Sequence, residues 1–356
     1  MKMQYQSAVS PEEREKRKRY LAATAITCIA AAMVFGVVHV VKLGSNRMDD
    51  MRDRATYDLA DMHDHIRAAG EDITRHREHE ARTRVARTYA LEELDALLSP
   101  EQWAELATMI TIPAGPFLMG TNSERADAYN RPQHEVVLST YQIDKYPVTH
   151  AEYARFVVFT KHRPPLDWKD GTIPDGKALY PVTMVTWYDA RDYCKWADKR
   201  MPTEAEWEKA ARGTDGRRWP WGNIMDPSKL NTYYNVGSSN VVTKYANGVS
   251  PYGVFDMAGN VSEWTSSDFV PYEGSSAPAS VFKAKKLEAK TAADRNMKVA
   301  EIVETDGTYK VRRGGSWKSD PFSTSSYHRN FSMPYYASDF FGFRCVSDLP
   351  QPGASQ

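Results

Sequence analysis

Thiols are scarce in this chain, with three cysteines among 356 residues. Cys28 falls inside an apolar run, so only Cys194 and Cys345 remain for the rest of the sequence, and at most one disulfide can form there. Net charge is missing as well: 46 Lys and Arg balance 46 Asp and Glu, which removes the electrostatic argument for nucleic-acid binding. No serine, histidine and aspartate stand at a recognisable hydrolytic spacing, so that chemistry has no support. What is present is the composition of an ordinary globular protein, 42% hydrophobic and 26% charged, long enough for one to three domains.

Near the N-terminus, Arg14, Lys16, Arg17, Lys18 and Arg19 precede an apolar run from Tyr20 to about Leu43 that holds no charge before Lys42. A run of that length spans a bilayer as a helix. It exceeds a usual signal-peptide core and lacks a small-x-small cleavage site near its end, so it reads as an uncleaved anchor rather than a cleaved leader. Thr27 before Cys28, and the continuation of the run beyond it, argue against lipidation. Cations before the run and Asp49 and Asp50 after it place residues 1–19 in the cytoplasm and everything beyond the 20–43 helix outside, in a periplasm. The expectation is a single-pass membrane protein with an exported C-terminal domain.

Residues 44–108 read as a helical stalk. Met48, Met51, Ala55, Leu59, Met62, Ile66, Ala69 and Ile73 recur every three or four residues on an otherwise charged segment. Such a stripe suits a helix–helix contact with a partner or packing on the chain's own domain, and the spacing leaves both open. Gly70 and the polar stretch from Thr74 to Arg84 interrupt it. His63 and His65 point to opposite sides of a helix, and His76 with His79 and Glu80 makes too few ligands for a metal site. Ser99-Pro100-Glu101-Gln102 predicts a helix start.

From 109 to 349 the chain is rich in Gly, Pro, Trp and Tyr with short apolar runs, which predicts short strands and irregular loops. Two helices stand out. Ala190, Tyr193, Cys194 and Ala197 keep the spacing of a buried helical face. Thr203-Glu204-Ala205-Glu206 is a capping box that opens a helix toward Arg212. Trp207, Trp219, Trp221 and Trp264 are read as core. Residues 268–309 look like an inserted loop with its own short helix, five Lys and Arg falling between Lys283 and Arg295, and residues 350–356 form a tail.

Ordered motifs run through this region: Ile112 to Gly120 (IPAGPFLMG), Tyr146 to Thr149 (YPVT), Lys199 to Glu208 (KRMPTEAEWE), Trp219 to Gly222 (WPWG), Met257 to Trp264 (MAGNVSEW), Arg313 to Ser319 (RGGSWKS) and Gly342 to Cys345 (GFRC). In order and spacing they resemble the formylglycine-generating-enzyme (sulfatase-modifying-factor) domain family, over roughly residues 112–348. The resemblance implies a compact α+β domain, distantly like C-type lectins, with little regular secondary structure. The family's enzymes are copper-dependent oxidases that convert a substrate cysteine to formylglycine with a pair of their own cysteines. At the matching positions this sequence has Ser319 and the region of Thr324. Two soft thiolates select Cu(I), whereas hydroxyl oxygens are hard ligands that stay protonated. Copper is therefore not expected.

The resemblance implies further sites. Calcium would be held by the side chains of Asp256 and Glu263 and the carbonyls of Gly259 and Val261, oxygen ligands that suit a hard cation. The alternative is that both acids only cap turns around Gly259. A second calcium site at Asn231 and Thr232 lacks its acidic partner. A disulfide between Cys194 and Cys345 is implied, against two separately buried thiols. His328 and Arg329 carry no motif of a catalytic base. The resulting expectation is a non-catalytic member that binds a protein partner as an accessory or scaffold subunit of an envelope assembly. The alternative is a copper- or iron-dependent oxidoreductase of the same family, although residues 44–108 are too short and too charged for the helical domain that supplies iron ligands in its iron branch.

Overall fold

A computed structural model of the chain describes residues 89–289, 300–304 and 307–349. The expected 20–43 anchor, the Met48 to Ile73 stripe, the four stalk histidines and the 350–356 tail lie outside the described residues. Among the described residues, no helix is long and apolar enough to cross a membrane.

Three helices begin in the same way. Thr149, Thr186 and Thr203 each accept a hydrogen bond from the amide three residues on, and Glu152, Asp189 and Glu206 at those positions reach back to the threonine amide. Each pair satisfies two backbone donors that a helix N-terminus leaves open. The helices so opened are α3 (His150–Thr160), α4 (Trp187–Trp196) and α5 (Glu204–Arg212). Ahead of them, α2 (Pro100–Leu106) carries the box of Ser99 and Gln102 as predicted, while α1 (Leu91–Asp95) has only half of one, Glu93 accepting from the Ala90 amide. Leu94 joins the main core with Tyr153 and Trp168. Packing therefore starts ahead of residue 109, and residues 89–108 belong to the globular domain rather than to a stalk.

The strands form small sheets. β4 (Tyr141–Asp144) is flanked by β1 (Met109–Ile112) and β11 (Val346–Asp348), both antiparallel to it. β2 (Gly115–Met119) pairs with β3 (His134–Leu138). The third sheet has the order β10-β5-β8-β9, built from β5 (Ser262–Asp268), β8 (Lys310–Arg313), β9 (Arg329–Ser332) and β10 (Phe341–Phe343), with β10 parallel to β5 and the rest antiparallel. The α+β expectation holds, with loops making up much of the remainder.

The main core lies between α3, α4 and the third sheet. Tyr153 stacks on Tyr193 with ring centroids 5.7 Å apart, and both meet Phe343 edge-on. Burying such side chains stabilises by roughly 1.5–3 kcal/mol each. Ala190, Tyr193 and Cys194 are buried as their spacing predicts, and α4 ends at Trp196 with Ala197 as its cap. Cys194 and Cys345 form a disulfide, Cα atoms 5.6 Å apart, that ties α4 to the chain just before β11.

Two expectations are corrected. The 268–309 insertion holds no α-helix among its described residues. It carries a hairpin of β6 (Lys285–Ala289) and β7 (Ala300–Glu304), and a 3-10 turn at Ala279–Val281. Ile302 and Val303 are β-branched and the run Ala300–Glu304 fits a strand better than a helix. Trp207, Trp219 and Trp264 are core, but Trp221 is only partly buried, lying parallel to Trp219 at 6.5 Å.

Candidate functional site

At the end of β8 the chain turns sharply at Gly314 and Gly315, both with positive φ. A Cβ at Gly315 would come within 2.8 Å of the Ser323 carbonyl, and one at Gly314 within 3.1 Å of the Trp207 ring, so neither position admits a side chain without displacement. The turn that follows is closed by serine hydroxyls. Ser319 Oγ accepts from the Ser316 amide at 2.9 Å and lies 3.3 Å from Ser316 Oγ. The Ser319 carbonyl accepts from the Tyr233 amide and from Thr232 Oγ1.

Thr324 ends a 3-10 turn, Phe322–Thr324, and is fully buried. Its hydroxyl donates to the Pro321 carbonyl at 2.7 Å and accepts from Trp219 Nε1 at 3.2 Å. Both positions where the resemblance calls for a thiol thus hold hydroxyls engaged in holding the loop. A thiolate pair for Cu(I) cannot be assembled from them.

Below this loop lies a buried charge network. Arg313 pairs with Glu208, and Glu208 also binds Arg212 at 2.7 Å and the Gly120 amide at 2.8 Å. Arg329 grips Glu204 through Nε at 2.7 Å and Nη2 at 3.0 Å. These groups are almost wholly inaccessible, and each charge is compensated by a partner, as burial demands. His328 packs edge-on against Tyr129 with Nδ1 3.4 Å from Asn130 Nδ2, and desolvation pushes its pKa down to about 4. It is neutral at ordinary pH and held by packing, while Arg329 is a structural ion-pair partner.

Beside the loop a cation and aromatic rings meet. The Arg218 guanidinium lies over Trp219 and Phe322, 4.5 and 5.0 Å from their ring centroids. Phe322 is 63% exposed and Ile224 82% exposed.

The expected calcium loop is built around Asn260, whose amide donates to Asp256 Oδ2 at 2.8 Å and accepts from the Asn240 amide at 2.8 Å. Gly259 is required there, because its missing Cβ would meet the Asn231 carbonyl at 2.3 Å. The two acids part company. Glu263 is fully buried and gives its carboxylate to Arg344 through Nε and Nη2, both at 2.7 Å, with Trp207 Nε1 at 2.8 Å. Its charge is already matched, so it does not fit the role of a cation ligand. Asp256 is buried with no ion pair among the described residues, and desolvation pushes its carboxyl up to about 7. Asn231 Oδ1 nearby is buried without a hydrogen-bond partner. These two acceptors fit a hard cation, as do the carbonyls of Gly259 and Val261 by chemical type. Among the described residues, no group of three or more His, Cys, Asp and Glu side chains is placed to hold a metal.

Sequence reading missed the Arg344–Glu263 and Arg313–Glu208 pairs. The available signal was an arginine inside an aromatic strand, Phe343-Arg344-Cys345, where an unpaired charge could not be tolerated.

Residues 95–349 match the sulfatase-modifying factor enzyme 1-like domain. The chain belongs to this family. It is 32% identical over 257 residues to the serine/threonine-protein kinase pkn1 of Chlamydia caviae, covering 68% of this chain and 38% of that protein. It is 29% identical over 314 residues to the inactive C-alpha-formylglycine-generating enzyme 2 of Bos taurus, covering 70% of this chain and 93% of that one. Among solved structures, PvdO from Pseudomonas aeruginosa aligns with a TM-score of 0.52 at 26% identity, over 68% of this chain and 94% of that one. The chain therefore spans well under half the length of the chlamydial kinase it matches.

Proposed function

We propose that this family member is non-catalytic and serves as a binding domain, an accessory or scaffold subunit held at a membrane by the 20–43 segment with the domain on the outer side. The observation that supports this most is the pair of hydroxyls, Ser319 and Thr324, engaged within the loop where a copper oxidase needs two thiolates. The exposed aromatic Phe322 in that loop, with the Arg218 guanidinium over its ring, suits contact with a protein partner. In this reading calcium, if bound, is structural, resting on Asp256 and the carbonyls of Gly259 and Val261, with Glu263 left to Arg344.

The test uses the full chain in detergent, titrated with Cu(I) against a chromophoric chelator and then incubated aerobically with a cysteine-containing peptide. No stoichiometric copper and no aldehyde product are expected. Tight copper binding together with formylglycine formation would overturn the proposal. Protease accessibility of the domain in intact and permeabilised cells checks its location, and isolation of native complexes from solubilised membranes identifies the partner.

A further inference from the structure

Of the buried arginines, Arg212, Arg313, Arg329 and Arg344 each face a carboxylate. Arg312 does not. It is 7% exposed, and its Nε has no hydrogen-bond partner. Nη2 reaches only the Phe331 carbonyl at 3.3 Å, and the guanidinium lies 3.6 Å from the Phe341 ring centroid. The cations nearest along the chain are answered: Lys310 pairs with Asp268 at 2.7 Å and Lys318 with Asp339 at 2.9 Å. Desolvation with no opposing charge lowers the Arg312 pKa to about 9.

The strand register places a second unmet donor beside it. Arg312 is opposite Asn330 on β9 and opposite Trp264 on β5, so the three side chains share one face of the sheet. Directly opposed residues hold their Cβ atoms about 5 Å apart. Asn330 Nδ2 is also buried without a partner. Two donors without acceptors at directly opposed positions, one of them cationic, beside the rings of Phe341 and Trp264, match an acceptor-only anion in charge and in hydrogen-bonding type. Cation–π contact with Phe341 offsets part of the guanidinium's desolvation but supplies no acceptor.

We propose that Arg312 and Asn330 form a subsite for a small carboxylate, delivered either as a free carboxylic acid or as a carboxylate of a peptide. The subsite does not depend on whether the Ser319 loop is catalytic.

The test is a thermal-shift and tryptophan-fluorescence titration of the full chain with sodium acetate at constant ionic strength, with acetamide as the uncharged control. Acetate should raise the melting temperature by a few degrees and change tryptophan emission, and acetamide should do neither. Arg312→Met, which keeps the stem and removes the charge, should abolish the response. Asn330→Asp should supply the missing counter-charge internally, raising the melting temperature without acetate and removing the dependence on it. Asn330→Ala serves if the aspartate variant does not fold, and should weaken the response at least threefold. Equal responses to acetate and acetamide, or an unchanged acetate response in Arg312→Met, would overturn the proposal. Acetyl-triglycine with a free C-terminus, compared with its amide, separates the sources: tighter binding than acetate assigns a peptide carboxylate, and equal binding a free acid.

Discussion

The indole N–H of Trp219 donates to the hydroxyl of Thr324 across 3.2 Å in a fully buried setting, so the side chain at this position anchors a tryptophan. Thr324→Val keeps the shape and deletes the acceptor. It should cost about 1–3 kcal/mol, the penalty for a buried donor left unmatched, whereas Thr324→Ser should cost less because the hydroxyl survives. Urea unfolding followed by tryptophan emission measures both.

Reduction of the disulfide should destabilise strongly. Cys194 and Cys345 are 151 residues apart, and the chain-entropy treatment gives a loop of that size about 5 kcal/mol, an upper figure. Cys194→Ser in non-reducing buffer should melt where the reduced parent melts. A variant as stable as the oxidised parent would show that the cross-link restrains little of the unfolded chain.

The two acids of the Asp256 loop should behave differently toward chelators. Glu263→Gln leaves Arg344 buried with half a partner and should cost roughly 3–5 kcal/mol whether or not EGTA is present. Asp256→Asn should cost less and should remove whatever melting-temperature shift EGTA produces in the parent. If EGTA leaves the parent unchanged, the calcium proposal fails while the prediction for Glu263 stands.

His150 sets an acid limb to the stability. It is buried, accepts from Trp168 Nε1 at 2.8 Å through Nδ1, and has its pKa lowered by desolvation from 6.5 to about 3. Because the unfolded chain takes up this proton more readily, its contribution is complete above pH 6.5 and is lost as pH falls toward 3, on the order of a few kcal/mol in all. His150→Asn keeps an acceptor near the Nδ1 position without titrating there. Its unfolding free energy should fall less steeply than the parent's between pH 6.5 and 4, and parallel slopes would contradict the assignment.

Much of the domain was legible in the sequence because its signals are local. Thr203 and Glu206 are three residues apart, as are Ser99 and Gln102, and a capping box needs nothing else. The burial of Cys194 followed from a period of 3.6. The site was less legible, because its pairings are long-range. Glu263 meets Arg344 across 81 residues and Glu208 meets Arg313 across 105. No periodicity encodes such a meeting, so Glu263 was read as a metal ligand. Arg312 escaped notice for the same reason: only the β8–β9 register shows that nothing acidic stands opposite it. The hairpin in the insertion is not legible for the same reason, because the pairing of Lys285–Ala289 with Ala300–Glu304 joins two short runs that carry no strong strand pattern of their own.

β1 and β11 lie on either side of β4. The two edges of this central strand are thus covered from opposite ends of the domain's sequence, Met109–Ile112 on one side and Val346–Asp348 on the other. Loss of either segment leaves one edge of β4 with unpaired backbone groups, open to pairing with a strand of another molecule, so a trimmed domain is expected to be exposed to edge-to-edge association rather than merely shortened.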